Sequence, residues 1–165
     1  MDLLKFKDKY LKLVIISGLI IIIDQITKLV ILRTILPYHF VTVIPGFFNL
    51  THIHNPGGAF GFLANQNSAT FNIFFIIVSL SAICFVFYLY IKTPKTEPLL
   101  AAGFALILGG AIGNLIDRIG LGIVVDFLDF YAGNLHWPAF NIADSAISIG
   151  IIIFLFHIIL RKAPV

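Results

Sequence analysis

The chain has 165 residues, of which 59% are hydrophobic and 12% are charged, and its mean hydropathy is +1.03. Soluble domains are roughly 45–50% apolar, so this composition indicates a single integral membrane domain over residues 1–165. The net charge of +3 lies at short ends and loops, so nothing predicts a nucleic-acid partner. A single cysteine, Cys84, excludes an internal disulfide and, within an apolar run, is expected to be a buried thiol.

Four apolar stretches are long enough for the roughly 20 residues of a membrane-spanning helix. They cover about residues 11–32, 71–91, 98–117 and 141–160. Lysines precede the first stretch as in a signal peptide, but no small-residue cleavage site follows, so we expect an uncleaved anchor helix. In the third stretch, Ala105, Gly109 and Gly113 recur every four residues, which predicts close helix packing.

The connection between the first two spans has a β-like texture over about residues 38–65. Residues 40–44 (FVTVI) and 47–52 (FFNLTH) are rich in β-branched and aromatic side chains, and Pro45-Gly46 between them indicates a tight turn. A small hairpin, followed by the glycine-bearing segment 55–60 (NPGGAF), is therefore predicted.

The connection between the last two spans, about residues 118–140, contains aromatic side chains typical of the membrane interface, among them Phe127, Phe130, Tyr131 and Trp137. The predicted fold is an all-α integral membrane protein. It has four transmembrane helices, a small β-hairpin or sheet module, and a short interfacial segment on the extracytoplasmic side.

Lysine and arginine predict the orientation of the chain. They cluster in the N-terminal tail, in the loop over residues 92–97 and in the C-terminal tail, whereas the other two connections contain only Arg33 and Arg118. Because cytoplasmic loops carry the excess of positive charge, we expect both termini to be cytoplasmic and residues 33–70 and 118–140 to face outward.

On this topology most polar residues of the spans converge beneath the outer surface. They are Asp24 and Lys28 in the first span, Asn55 in the outer loop, Asn114, Asp117 and Arg118 in the third span, Asp126 in the following connection, and Asn141 and Asp144 at the start of the fourth span. A carboxylate at a helix centre costs about 2.5–3.5 kcal/mol on insertion scales. The clustering therefore predicts a site, and two carboxylates, Asp126 and Asp144, without an obvious metal cage favour acid–base chemistry on water.

Each residue also has a structural interpretation. Asp24 and Lys28, at i,i+4, form a plausible structural ion pair, and Asp117 has Arg118 beside it as a partner at a helix end. Asp129 is expected to be solvated at the surface. Asp126 and Asp144 also fit as acids at helix termini, and Asp144, in the first turn of a helix, would be stabilised by the helix dipole.

Other function classes stay open at this point. Intramembrane charges are typical of small multi-pass transporters, although here they stop in the outer half. A metal-dependent membrane hydrolase would use His52, His54 and His136, and insensitivity to chelators would exclude it. A non-catalytic assembly subunit is suggested only by the small-residue stripe.

Five segments in chain order resemble the motifs of bacterial lipoprotein signal peptidase (signal peptidase II). They are residues 24–28 (DQITK), 55–60 (NPGGAF), 113–118 (GNLIDR), 124–127 (VVDF) and 140–144 (FNIAD). Together they span most of the chain. One departure is Gly58, where that family more often has alanine, which alters loop stiffness more than chemistry.

The resemblance implies an intramembrane aspartic endopeptidase of the bacterial cytoplasmic (inner) membrane, without a cofactor or metal. It would cut prolipoproteins before a diacylglyceryl-modified cysteine near the extracytoplasmic face. By resemblance, Asp126 and Asp144 match the catalytic pair. Asn55, Gly57, Asn114, Arg118 and Asn141 match residues that shape the site or hold substrate, and Asp24, Lys28 and Asp117 match a supporting layer. Membrane lipid, globomycin-type cyclic peptide inhibitors and a monomeric state are further expectations.

Overall fold

A computed structural model of the chain describes residues 3–57 and 69–162. Four helices and four strands follow one another: α1 Leu3–Thr34, β1 Phe40–Ile44, β2 Phe48–Asn55, α2 Ala69–Lys92, α3 Pro98–Leu121, β3 Val124–Ala132, β4 Leu135–His136 and α4 Ile142–Lys162. Each helix contains a stretch long and apolar enough to cross a membrane, which confirms the four predicted spans. Residues 58–65 of the predicted β-rich segment lie outside the described residues.

Helix α3 occupies the centre of the bundle. It packs against α1, α2 and α4, and more than half of its span is buried, whereas the other three spans bury less than a fifth of theirs. Many large apolar side chains of those three helices are exposed on the outside of the bundle, as lipid-facing residues are. Cys84 on α2 is among the outward-facing residues, so the expectation of a buried thiol is wrong.

The predicted small-residue stripe is where α3 meets α1. A Cβ on Gly109 would lie 2.9 Å from the carbonyl oxygen of Ser17 and from Cβ of Ile20. A Cβ on Gly113 would lie 2.7 Å from Oδ2 of Asp24. Only glycine therefore permits this approach of the two backbones, and the packing interpretation of the stripe is confirmed.

The sheet is antiparallel with the order β1-β2-β3-β4. The predicted hairpin is present as β1 and β2. The connection over residues 118–140 is more ordered than an interfacial segment, because α3 continues to Leu121 and β3 then pairs along β2. Gly122 ends α3 with a left-handed φ of 76°, and its N–H donates to the carbonyl oxygen of Arg118. A left-handed glycine is a common way for a helix to end.

One face of the sheet packs on the C-terminal end of α1. Ile31 of α1 and Ile35, just after the helix, form a buried apolar cluster with Val125 and Phe127 of β3. This contact holds β3 across one end of the bundle, which we call the sheet end. The first residues of β3 are buried on both faces, and Asp126 lies among them.

Candidate active site

The predicted polar residues meet at the sheet end, between the helix ends and β3. Strand β3 carries Asp126, opposite Ile53 of β2. Helix α4 carries Asp144 in its first turn. We call these two residues the aspartate pair.

Asn141 joins the two members of the aspartate pair. Its Nδ2 donates to Oδ1 of Asp126 over 2.8 Å, and its backbone N–H donates to Oδ2 of Asp144 over 3.3 Å. In return, Oδ1 of Asn141 accepts the backbone N–H of Asp144 at 2.9 Å. This reciprocal exchange caps α4 in the manner of a capping box, so the residue that starts the helix also sets the position of both acids.

Two further amides complete the shell around the pair. Nδ2 of Asn55 donates to Oδ2 of Asp126 over 2.9 Å, and Nδ2 of Asn114 donates to Oδ1 of Asp144 over 2.8 Å. Among the described residues neither acid has a lysine or arginine within ion-pair distance. A carboxylate offers about four acceptor sites, so each acid keeps room for a water, a proton or a substrate group.

Burial, as the largest cause, and the negative charge of Asp144 raise the pKa of Asp126 to about 7, against the hydrogen bonds from Asn55 and Asn141 and the charge of Lys28, which lower it. A like charge nearby and removal from water both disfavour the ionised form. Asp126 is therefore suited to holding a proton near neutral pH.

Lys28 anchors a second layer beneath the pair. Its ammonium lies 2.8 Å from Oδ2 of Asp24, 2.8 Å from Oδ2 of Asp117 and 2.9 Å from Oδ1 of Asn114. These contacts use all three of its donors. The i,i+4 ion pair predicted for Asp24 and Lys28 is confirmed, and through Asn114 the layer reaches Asp144.

Asp24 also links α1 to the start of α4. Its Oδ1 accepts the backbone N–H of Ala143 at 2.9 Å, one of the donors that an α-helix leaves free at its first turn. Gln25 is a contributor that sequence reasoning missed: its Nε2 lies 2.9 Å from Oδ1 of Asp117 and 3.2 Å from the carbonyl of Gly113. Its position in the sequence between Asp24 and Lys28 could have indicated that it belongs to the same polar cluster.

Arg118 holds the segment that follows β2. Its guanidinium donates to the carbonyl of Gly57 over 2.8 Å and lies over the ring of Phe75 on α2, 5.3 Å from the centroid. Gly57 in turn donates its N–H to Oδ1 of Asn55 over 3.0 Å. The amide that touches Asp126 is thus tied to α3 through Gly57.

Two sequence interpretations are wrong. Asp117 does not pair with its neighbour Arg118 but with Lys28, which lies far away in sequence and near in space. Asp129 is buried rather than solvated, because Nδ2 of Asn49 and Nδ1 of His136 lie 2.9 and 2.8 Å from its carboxylate oxygens.

The histidines that suggested a metal site divide into two places. His52 and His54 contact each other through their Nε2 atoms at 3.0 Å, and Nδ1 of His52 lies 2.7 Å from the carbonyl oxygen of Ile35. His136 lies instead with Asp129. Within the part of the chain that the structure describes, no three histidine, cysteine or acidic residues are grouped to hold a metal ion.

Comparison with known families and proteins gives consistent results. The family described as signal peptidase (SPase) II matches residues 16–160. A lipoprotein signal peptidase of Desulforapulum autotrophicum is 49% identical over 153 residues, covering 93% of this chain and 94% of the relative. The lipoprotein signal peptidase of Syntrophus aciditrophicus is 44% identical over 148 residues, covering 90% of this chain and 92% of the relative.

Two solved structures share the fold. One, described as a bacterial membrane enzyme determined by the in meso method at 2.3 Å resolution, superposes with a TM-score of 0.82 at 32% identity, covering 92% of this chain and 89% of the other. A second, at 1.9 Å resolution and with the same description, has a TM-score of 0.77 at 34% identity, covering 92% and 94%.

Proposed function

The chain belongs to the signal peptidase II family, and from that premise we propose that Asp126 and Asp144 are its two catalytic residues. The observation that carries the proposal is the amide bridge: Asn141 contacts both carboxylates, and no cation neutralises either of them among the described residues. Two such acids share a proton, as in aspartic proteases.

Family membership fixes the coarser properties. The protein is a signal peptidase II protease that acts on prolipoproteins. It is a multi-pass protein of the inner membrane, with four helices able to span the bilayer.

In the proposed mechanism the pair holds one proton at the start. The ionised carboxylate takes a proton from water, whose oxygen adds to the carbonyl carbon of the scissile peptide bond. The protonated carboxyl gives its proton to the carbonyl oxygen, which yields a tetrahedral gem-diol. The raised pKa of Asp126 supports it as the proton-bearing partner.

The second half of the reaction restores the pair. The acid that gained the proton of water delivers it to the leaving nitrogen, and the other acid recovers a proton from the diol as the C–N bond breaks. The products are the signal peptide with a new carboxyl group and the lipoprotein with a new amine. Asn55, Asn114 and Asn141 keep the reacting oxygens in place by contacts that carry no charge, so the proton stays free to move between the acids.

The finer expectations that the family resemblance carries are part of the same proposal. The cut falls before a diacylglyceryl-modified cysteine. Its acyl chains stay in the bilayer because burial contributes about 0.8 kcal/mol per CH₂. Both termini are cytoplasmic and the aspartate pair lies near the extracytoplasmic face, a placement that the distribution of lysine and arginine supports. The protein acts as a monomer and is inhibited by globomycin-type cyclic peptides.

The test is cleavage of a diacylglyceryl-modified prolipoprotein by the purified protein and by its Asp126→Asn and Asp144→Asn variants. Loss of either acid removes general acid–base catalysis, so we expect kcat to fall by about 10²- to 10⁴-fold. Asp129→Asn is the matched control, because Asp129 is also a buried acid on β3 but contacts His136 and Asn49.

Near-normal turnover in either pair variant, or an equal loss in Asp129→Asn, would contradict the assignment. Every reaction is repeated with a chelator. Activity that disappears with the chelator would move the chemistry to the histidines and a metal ion.

A further inference from the structure

A cavity lies at the end of the bundle opposite the aspartate pair, and the proposed chemistry makes no use of it. It has a volume of about 310 Å³ and lies between α1, the loop after α2, and the first turns of α3. Three lysines stand around it: Lys9, Lys12 and Lys95. We call it the lysine-rimmed cavity.

Lys9 is held in place by hydrogen bonds, whereas Lys12 and Lys95 make no such contact with the described side chains. Its ammonium donates to the carbonyls of Ile91 and Thr93 over 3.1 and 2.8 Å, and it lies 5.0 Å from the centroid of the Tyr90 ring. Lys12 and Lys95 have no ion-pair or hydrogen-bond partner among the described side chains. The acidic side chain described at this end, Glu97, does not line the cavity and lies 3.4 Å from Nδ1 of His157. Among the side chains that the structure describes, no acid contacts Lys12 or Lys95, so the described part of the rim is positively charged.

The walls below the rim are apolar and lie inside the spans. They consist of Leu13 and Ile16 of α1, and Ala101, Ala102 and Ala105 of α3. Seven residues separate Lys9 from Ile16, which corresponds to about 10 Å along a helix. The small alanine side chains leave the space between α1 and α3 open at this depth.

An occupant of this cavity must therefore be amphipathic. The rim is complementary to a phosphate, since lysine is a compact cation with three donors, and the interior accepts hydrocarbon. A soluble anion would satisfy the rim and leave the apolar space unfilled. The molecule with both properties that is present at that depth is a phospholipid of the surrounding leaflet.

We propose that the lysine-rimmed cavity is a binding site for an anionic phospholipid, with the phosphate at Lys12 and Lys95 and part of one acyl chain between α1 and α3. The site would hold the N-terminal ends of α1 and α3 together from outside the catalytic centre. It is independent of the proposed roles of the aspartate pair.

The test is lipid binding to the purified full-length protein in detergent, followed by native mass spectrometry. Phosphatidylglycerol is titrated against phosphatidylcholine with the same acyl chains. The double variant Lys12→Gln/Lys95→Gln loses two lysines that attract the anionic headgroup, so we expect it to bind phosphatidylglycerol at least about tenfold more weakly. The weak binding of phosphatidylcholine should change little.

Two further variants separate a defined site from a general charge effect. Lys92→Gln removes a charge at the same end from a residue that does not line this cavity, and should bind like the parent protein. Ala102→Leu fills the apolar part while keeping the lysines, and should weaken phosphatidylglycerol binding without altering their charge.

Three results would overturn the proposal: equal affinity for the two lipids, a loss in Lys92→Gln as large as in the double variant, or unchanged binding in Ala102→Leu. Competition by millimolar inorganic phosphate that fully displaces the lipid would also overturn it, because it would reduce the site to a small-anion site. Thermal unfolding without added lipid checks that each variant is folded.

Discussion

At the residue scale, the aspartate pair differs in its surroundings from Asp24 and Asp117, the two acids of the second layer. Asp24 and Asp117 contact the ammonium of Lys28, whereas Asp126 and Asp144 contact amides. A cationic partner at contact distance would favour ionisation of both members of the pair more strongly than these neutral donors do. The same residue type thus serves two purposes within one cluster, and the partners decide which.

The raised pKa of Asp126, about 7 against an ordinary 3.8, predicts how cleavage depends on pH. As pH rises through about 7 the pair loses its shared proton, so kcat should fall by about tenfold per pH unit on the alkaline side. The measurement is kcat for the lipidated substrate between pH 5 and 9. A profile that stays flat from pH 6 to pH 9 would contradict the shared proton.

The same shift predicts a change in stability that Asp126→Asn isolates. A raised folded-state pKa favours folding below about pH 4, and this contribution is lost as pH rises through about 7. Asparagine cannot ionise and does not lose this contribution. The unfolding temperature of Asp126→Asn minus that of the parent protein should therefore increase from pH 5 to pH 9. A constant difference between the two proteins would show that Asp126 does not ionise over that interval.

At the element scale, the helices and the β1–β2 hairpin were predictable from the sequence, and strands β3 and β4 were not. The spans are predictable because a long apolar run favours a membrane helix. Strand β1 is predictable because a β-branched run before Pro-Gly favours a strand that ends in a turn. Strand β3 was missed because its first four residues are buried on both faces, so it lacks the alternation that identifies a half-exposed strand. Its pairing with β2 depends on contacts distant in sequence.

The site was predictable to a similar degree. The convergence of the polar residues at one end follows from topology, and the motif resemblance singled out Asp126 and Asp144 for roles that remain predictions. The partner of Asp117 was not predictable, because Lys28 lies on another helix and sequence adjacency favoured Arg118. Burial of Asp129 likewise depends on Asn49 of a neighbouring strand.

The contact between α1 and α3 gives a prediction at this scale. In Gly113→Ala the added methyl group would meet Oδ2 of Asp24, and overpacking of this kind costs about 1–3 kcal/mol. Because Asp24 also holds the N–H of Ala143, we expect kcat to fall together with the unfolding temperature. Both are measured on the purified variant.

Gly120→Ala is the control for that variant. Gly120 lies on the same helix, and a Cβ there would meet nothing within 4 Å. Alanine in a helix is up to about 1 kcal/mol better than glycine, so this variant should be as stable as the parent protein or slightly more so. Equal destabilisation of the two variants would show that close packing at Gly113 is not the cause.

At the scale of the whole molecule, the two ends of the bundle have opposite character. One end carries the sheet and the cluster of acids and amides, and the other carries Lys9, Lys12 and Lys95 around an apolar cavity. The positive-inside rule predicts that the lysine end faces the cytoplasm.

This orientation can be measured with single cysteines in a Cys84→Ser background. Asn134 and Thr96 are both exposed, at the sheet end and in the α2–α3 loop respectively. In intact spheroplasts, a membrane-impermeant maleimide should label Asn134→Cys, and it should label Thr96→Cys only after lysis. The reverse pattern would invert the proposed topology.

The bond from the N–H of Ala143 to Asp24 also bears on how the protein is made. Asp24 and Lys28 enter the membrane early in synthesis, yet the groups that complete the cluster arrive with β3 and α4, the last helix described. A nascent chain that stops before α4 would lack both Asn141 and Asp144 and would leave a buried carboxylate of α1 without one of its donors. With Asp144 in its proposed catalytic role, insertion of α4 supplies a reacting carboxyl group and the missing donor to Asp24 in the same step, so a chain that stops before α4 should be inactive.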